Sequence, residues 1–168
     1  SVKREIENTI LAYPEDEIIV LDPAGEYSPV VEANGGEGIR FAPDADTHLN
    51  PFDLSDVAHQ SRSAQMAFKI DAFLALSSAT MAEGDQGLPE ADKSIISRCV
   101  ERAYRDADEE GRTPLLGDFH RILKAQPELE ARDIALRYER YVEGALSFFN
   151  RPSNVTFDRR ITNVDFRD

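Results

Sequence analysis

The feature that most constrains this chain is the run Glu17-Ile-Ile-Val-Leu-Asp22, closed by Asp22-Pro23. A short, unbroken apolar stretch between turn formers has the pattern of a strand covered on both faces, as in a parallel sheet. Parallel neighbours need crossover connections, and helical patterns flank this run on both sides. Before it, Val2, Ile6, Ile10 and Tyr13 recur at helical spacing, with Lys3, Arg4, Glu7 and Asn8 on the opposite face. An amphipathic helix is predicted over residues 1–13, ended by Pro14. After the run, Ser28-Pro29 opens a short helix, because proline has a helical φ and its missing N–H is no loss in a first turn. Gly35-Gly36 stops that helix, Gly38 to Ala42 forms a second strand, and Pro43 to Asp53, rich in turn formers, forms an ordered loop.

From Ser55 the texture changes, and helical patterns continue to about Asn150. Residues Ala64 to Thr80 carry Met66, Ala67, Phe68, Ile70, Phe73, Leu74 and Leu76 on more than one side, the pattern of a central helix packed by several neighbours. Leu88-Pro89 opens a second helix with one stripe of Ile95, Ile96, Cys99, Val100, Ala103 and Tyr104. Thr113-Pro114 has N-cap and first-turn chemistry for a third, which buries Leu115, Leu116, Phe119, Ile122 and Leu123 and breaks at Pro127. Glu128 to Leu146 forms the fourth, with Leu129, Ile134, Tyr138, Tyr141, Val142 and Ala145 inward, leading to Phe148-Phe149. Asp106 to Gly111 reads as a solvated helix end.

The 168 residues suit one domain, lobed at most. With 41% hydrophobic and 30% charged residues, the composition is that of a folded chain. Nineteen Lys and Arg against 32 Asp and Glu give a net charge of −13, a poor surface for nucleic acid or an anionic membrane. No stretch has the length of a membrane span, and no signal peptide is evident. Cys99 is the single cysteine, read as a small core residue. His48, His59 and His120 are scattered and receive no chemistry.

The chemistry concentrates at the end of the first strand. Asp22, Glu26 and Tyr27 are delivered to the carboxyl edge of the sheet, where open α/β sheets bind ligands. Asp22 has the structural reading of a loop support, and Glu26 that of a cap for the Ser28-Pro29 turn. Asn50-Pro51-Phe52-Asp53 reads as a structural turn anchored by Phe52. Arg159-Arg160, with Arg151 and Arg167, is the only basic cluster.

In order along the chain stand Lys3-Arg4-Glu5, Asp22-Pro23-Ala24-Gly25-Glu26-Tyr27, Gly35-Gly36, Asn50-Pro51-Phe52-Asp53-Leu54, Thr113-Pro114-Leu115-Leu116-Gly117-Asp118-Phe119, Tyr141-Val142-Glu143-Gly144 and Phe148-Phe149-Asn150. Together they resemble the conjugative-transfer and type IV secretion ATPases, within the HerA/FtsK-like branch of P-loop NTPases. Ala24 departs from the family's usual Glu. The resemblance implies catalytic roles for Glu26, acting on the attacking water, and for Asp22, supporting the loop or a metal-bound water; nucleotide contacts from Tyr27, Asn50 and Asp53, the last two as a pocket wall in place of a structural turn; and ATP with Mg²⁺ as the cofactors of an intact protein. It also implies an all-helical insertion in a RecA-like core.

No Gly-x-x-x-x-Gly-Lys-Ser/Thr run occurs in the sequence. The chain begins without Met inside a helical pattern and ends as an extended segment starts. It is expected to continue in both directions, and the resemblance implies a phosphate-binding loop before Ser1 and a Walker B strand after Asp168. The expected architecture is an α/β fragment of a RecA-like core over 1–54, a helical insertion over 55–150 and a return segment over 151–168. By itself it is expected not to hydrolyse ATP and to bind no ATP tightly. Expected partners are other copies of itself and secretion or conjugation channel proteins, at the cytoplasmic side of the membrane, with no direct nucleic-acid binding. A stand-alone helical interaction module is the alternative. A small acidic hydrolase using Asp22 and Glu26 lacks a nucleophile and a metal set.

Overall fold

The computed structural model describes residues 2–22, 24–53, 61–81 and 87–165. Readings that rest on Ser1, the Val2 side chain, Pro23, Leu54, Ser55, His59, Arg167 and Asp168 lie outside the described residues. The chain divides into two compact units, one of Ser1–His48 with Ser153–Asp168, the other of Leu49–Pro152.

The first unit holds helix α1 (Val2–Ala12), strand β1 (Ile18–Asp22), helix α2 (Ser28–Ala33), strand β2 (Glu37–Arg40) and, after the second unit, strand β3 (Ile161–Asp165). The sheet is wholly parallel in the order β1-β3-β2, with Val20 opposite Asn163 and Asn163 opposite Gly38. One face is covered by the helices: Ile6 and Ile10 of α1 and Val31 of α2 pack with Tyr27, Ile18, Val20 and Ile161. On the other face of β1, Ile19 and Leu21 are 56% and 66% exposed. This corrects the expectation of a first strand covered on both sides. Among the described residues β1 and β2 are the outer strands, and the strand buried at every residue is β3, which the return segment supplies to the centre. Tyr13 is likewise exposed, because it follows the last turn of α1.

The break between α2 and β2 is set by two different glycine properties. Gly35 adopts φ +76°, a left-handed conformation open to glycine at low cost. Gly36 is needed for room: a Cβ there would stand 2.5 Å from Val31 Cγ1 and 2.7 Å from the carbonyl oxygen of Ile161.

The second unit contains α3 (Arg62–Met81), α4 (Glu90–Glu109), α5 (Leu116–Lys124), α6 (Leu129–Val142) and a 3₁₀ turn (Ser147–Phe149). Its centre is α4, whose predicted stripe from Ile95 to Tyr104 is buried throughout. The α3 helix buries only the row Phe73, Ser77 and Met81, while Phe68 and Leu76 face outward, so it is not the centre that its apolar content suggested. Apolar residues spread around the whole circumference cannot all meet one neighbouring surface.

Aromatic rings fill the middle. Phe52 stacks on Phe73 at 4.7 Å, Phe73 meets Phe119 edge-on at 5.1 Å, and Phe119 meets Tyr138 at 5.0 Å. The buried hydroxyls are satisfied: Tyr104 donates to the Phe52 carbonyl at 2.8 Å, and Tyr138 bonds Ser77.

Two helix ends differ from expectation. The α5 helix starts at Leu116, not at Thr113-Pro114, because the Asp118 carboxylate accepts the Leu115 N–H at 2.8 Å and closes the first turn there. The α6 helix ends at Val142, not Leu146. Gly144 passes so close to Arg140 that a Cβ would lie 2.9 Å from its carbonyl oxygen, and the Leu146 N–H returns to that oxygen at 3.1 Å. Ala145 therefore lies outside the helix and is exposed, as is Leu129 at its first position.

Candidate functional site

The candidate site is the loop from Asp22 to Ser28 at the carboxyl end of β1. Asp22 is fully buried, and its carboxylate is spoken for. Oδ1 accepts the Glu26 N–H at 3.0 Å, and Oδ2 accepts the Tyr27 N–H at 2.9 Å and Nδ2 of Asn163 at 3.2 Å. Burial works against the charge, but these donors outweigh it and hold the carboxyl below its usual range. Asp22 thus does what a loop support does. A carboxylate enclosed by backbone donors has little capacity left to take a proton from substrate.

Asp22 holds the Glu26 and Tyr27 amides just before α2, and no side-chain hydrogen bond caps that helix. The Glu26 side chain is exposed, and among the described residues no hydrogen bond or ion pair holds its carboxylate. The capping alternative for Glu26 is therefore not what the structure shows. Tyr27, half-buried, stands at the N-terminal boundary of α2 and packs with the cluster of Ile10, Val20, Val31 and Ile161.

Across the sheet the strand ends bring Asp22, Asp165 and Arg40 into register. Arg40 pairs with Asp44 at 3.1 Å. Among the described residues no group of three His, Cys, Asp or Glu is arranged to hold a metal ion.

Asn50 and Asp53 belong to the second unit and serve a structural joint. Asn50 is buried; its Nδ2 donates to the Pro114 carbonyl at 2.9 Å and to Asp53 Oδ1 at 3.3 Å, while its Oδ1 accepts the Phe52 N–H at 3.1 Å. Beside it, Asn150 Oδ1 accepts the Gly117 N–H at 2.6 Å, and a Cβ on Gly117 would crowd that amide at 3.1 Å. Asn50, Gly117 and Asn150 come from three separate motifs, and all of them line one polar recess of this unit.

Three residues have roles that the sequence does not disclose, although Ser28 reads as a helix start and Arg160 as part of a basic cluster. Asn163 and Ser28 complete the network under the loop, and Arg160 ties down α1: its Nη2 donates to the carbonyls of Ile10 at 2.8 Å and Tyr13 at 2.6 Å. The Ile10 carbonyl is one that a helix end leaves without a partner, while that of Tyr13 also accepts the Asp16 N–H at 3.3 Å. The signal for β3 was present in Ile161-Thr-Asn-Val164, a β-branched run interrupted by a single amide.

No protein-family model matches this sequence, and no curated protein does. A solved structure does: that of VirB4 of Thermoanaerobacter pseudethanolicus covers 93% of this chain at a TM-score of 0.65 and 20% identity. The two share a fold. The match takes in 44% of the VirB4 chain, so this chain spans less than half the length of that protein. At this identity the likeness is one of architecture: a small parallel sheet with a larger helical part.

Proposed function

We propose that these residues are part of an ATPase that energises type IV secretion or conjugative DNA transfer. The first unit would be a portion of its RecA-like core and the second a helical insertion that couples the core to other subunits or channel proteins. The observation that carries this reading is the loop after β1. A parallel strand ends in a buried aspartate that holds the backbone of the following loop, and that loop carries an exposed carboxylate, Glu26, at the sheet edge where α/β proteins bind ligands. The shared fold with VirB4 supports it, as does the order of motifs.

In this reading Glu26 orients the attacking water and takes its proton, Asp22 fixes the loop, and Tyr27 lines the nucleotide site. The described residues do not offer a donor set for Mg²⁺, and the sequence holds no phosphate-binding glycine loop. ATP and Mg²⁺ would be held by the rest of the longer protein, acting at the cytoplasmic face of the membrane. Asn50 and Asp53 fit their structural joint better than a pocket wall.

The test is Glu26→Gln in the longer protein. Turnover is expected to fall at least a hundredfold with nucleotide affinity unchanged. Turnover within twofold of the parent would remove Glu26 from the site. The 168-residue chain alone is expected to show no ATPase activity above blank.

A further inference from the structure

We propose that Asn163 of β3 is a positioning residue that clamps both ends of the Asp22–Ser28 loop and so fixes where Glu26 stands. Its Nδ2 donates to Asp22 Oδ2 at 3.2 Å, before the loop, and to Ser28 Oγ at 2.9 Å, after it. One amide group from the neighbouring strand thus spans the loop, and the Asp22 oxygen it reaches is the one that accepts the Tyr27 N–H.

An amide is an unexpected choice for this position. Asn163 lies mid-strand at the centre of the sheet, wholly buried, between Val20 of β1 and Gly38 of β2. Among the described residues its Oδ1 has no partner, and burying an unpaired acceptor is unfavourable. A branched apolar residue would suit the centre of a sheet better. What the amide supplies, and an apolar side chain cannot, is the pair of donated bonds. Glycine at position 38, beside it, leaves the space open: a Cβ there would approach nothing nearer than Ser28 Oγ at 4.0 Å. The structural claim concerns the loop in this chain; its catalytic meaning rests on the proposed role of Glu26.

The experiment is amide hydrogen exchange by NMR on the 168-residue chain. In Asn163→Leu, which removes both donated bonds along with the unpaired acceptor, exchange at the Glu26 and Tyr27 amides is expected to rise about tenfold relative to the amides of α1 and β1. Ser28→Ala, which cuts only the far anchor, is expected to raise the same two by about threefold. A merely structural amide predicts a uniform rise across the unit, and that result overturns the proposal, as does unchanged exchange at both loop amides. If Asn163→Leu does not fold, Ser28→Ala decides by the same criterion. Because the readout is exchange, it stands apart from the Glu26→Gln turnover test, and either can fail alone.

Discussion

Gly35 and Gly36 are adjacent and chemically identical, yet the structure asks different things of them. Gly35 needs a backbone angle and has open space around it; Gly36 needs the absence of a Cβ against Val31 and Ile161. Gly36→Ala is therefore expected to cost about 3 kcal/mol or to prevent folding of the unit, since neither a backbone carbonyl nor a β-branched core residue can yield. Gly35→Ala is expected to cost about 1 kcal/mol. Urea unfolding of the two variants would show the order, and equal costs would contradict the packing argument. The same distinction separates Asp22 from Glu26. Both are carboxylates at one strand end, but one is enclosed by donors and the other is left to solvent. Cys99, fully buried, has its thiol pushed up to about 11 by burial, which suits an inert core residue.

Among the elements, α5 shows how a helix start is chosen. Arg112 holds Asp118 through two bonds, of 2.6 and 2.9 Å, while Asp118 closes the first turn on Leu115. The Arg112 guanidinium, more than burial opposes, lowers the Asp118 carboxyl below its usual range. A depressed carboxyl stabilises the fold above its unfolded value, about 4, and that contribution is lost as pH falls through the lower folded value. The gap in unfolding free energy between the parent chain and Asp118→Ala is thus expected to be about 2 kcal/mol at pH 7 and to shrink below pH 4. A gap that stays constant down to pH 2.5 would show that the carboxylate does not hold this turn.

At the largest scale, the first unit's sheet has open edges among the described residues. In the order β1-β3-β2, β1 has a partner on one side only among the described residues, and its outer face shows Ile19 and Leu21. An open parallel edge beside exposed branched side chains invites pairing. Self-association of this chain is expected to grow with concentration, and the double variant Ile19→Lys with Leu21→Glu is expected to abolish it. Light scattering that finds the parent chain strictly monomeric at about 10 mg/mL would count against this. Among the described residues no helix is long and apolar enough to cross a membrane.

Local chemistry was legible in advance wherever neighbours in sequence settle it. The β1 run, the Ser28-Pro29 start, the double-glycine stop and the α4 stripe all stand where the residues placed them. So was the location of the candidate site, because a strand that ends in a carboxylate-bearing loop is a local pattern. Tertiary structure decided what depends on partners far along the chain. It made β3 the centre of the sheet, left one face of β1 open, drew Asn50, Gly117 and Asn150 into one joint, and set Asn163 under the loop. Periodicity states which side chains need cover or a partner; only the folded chain states which distant residue provides it.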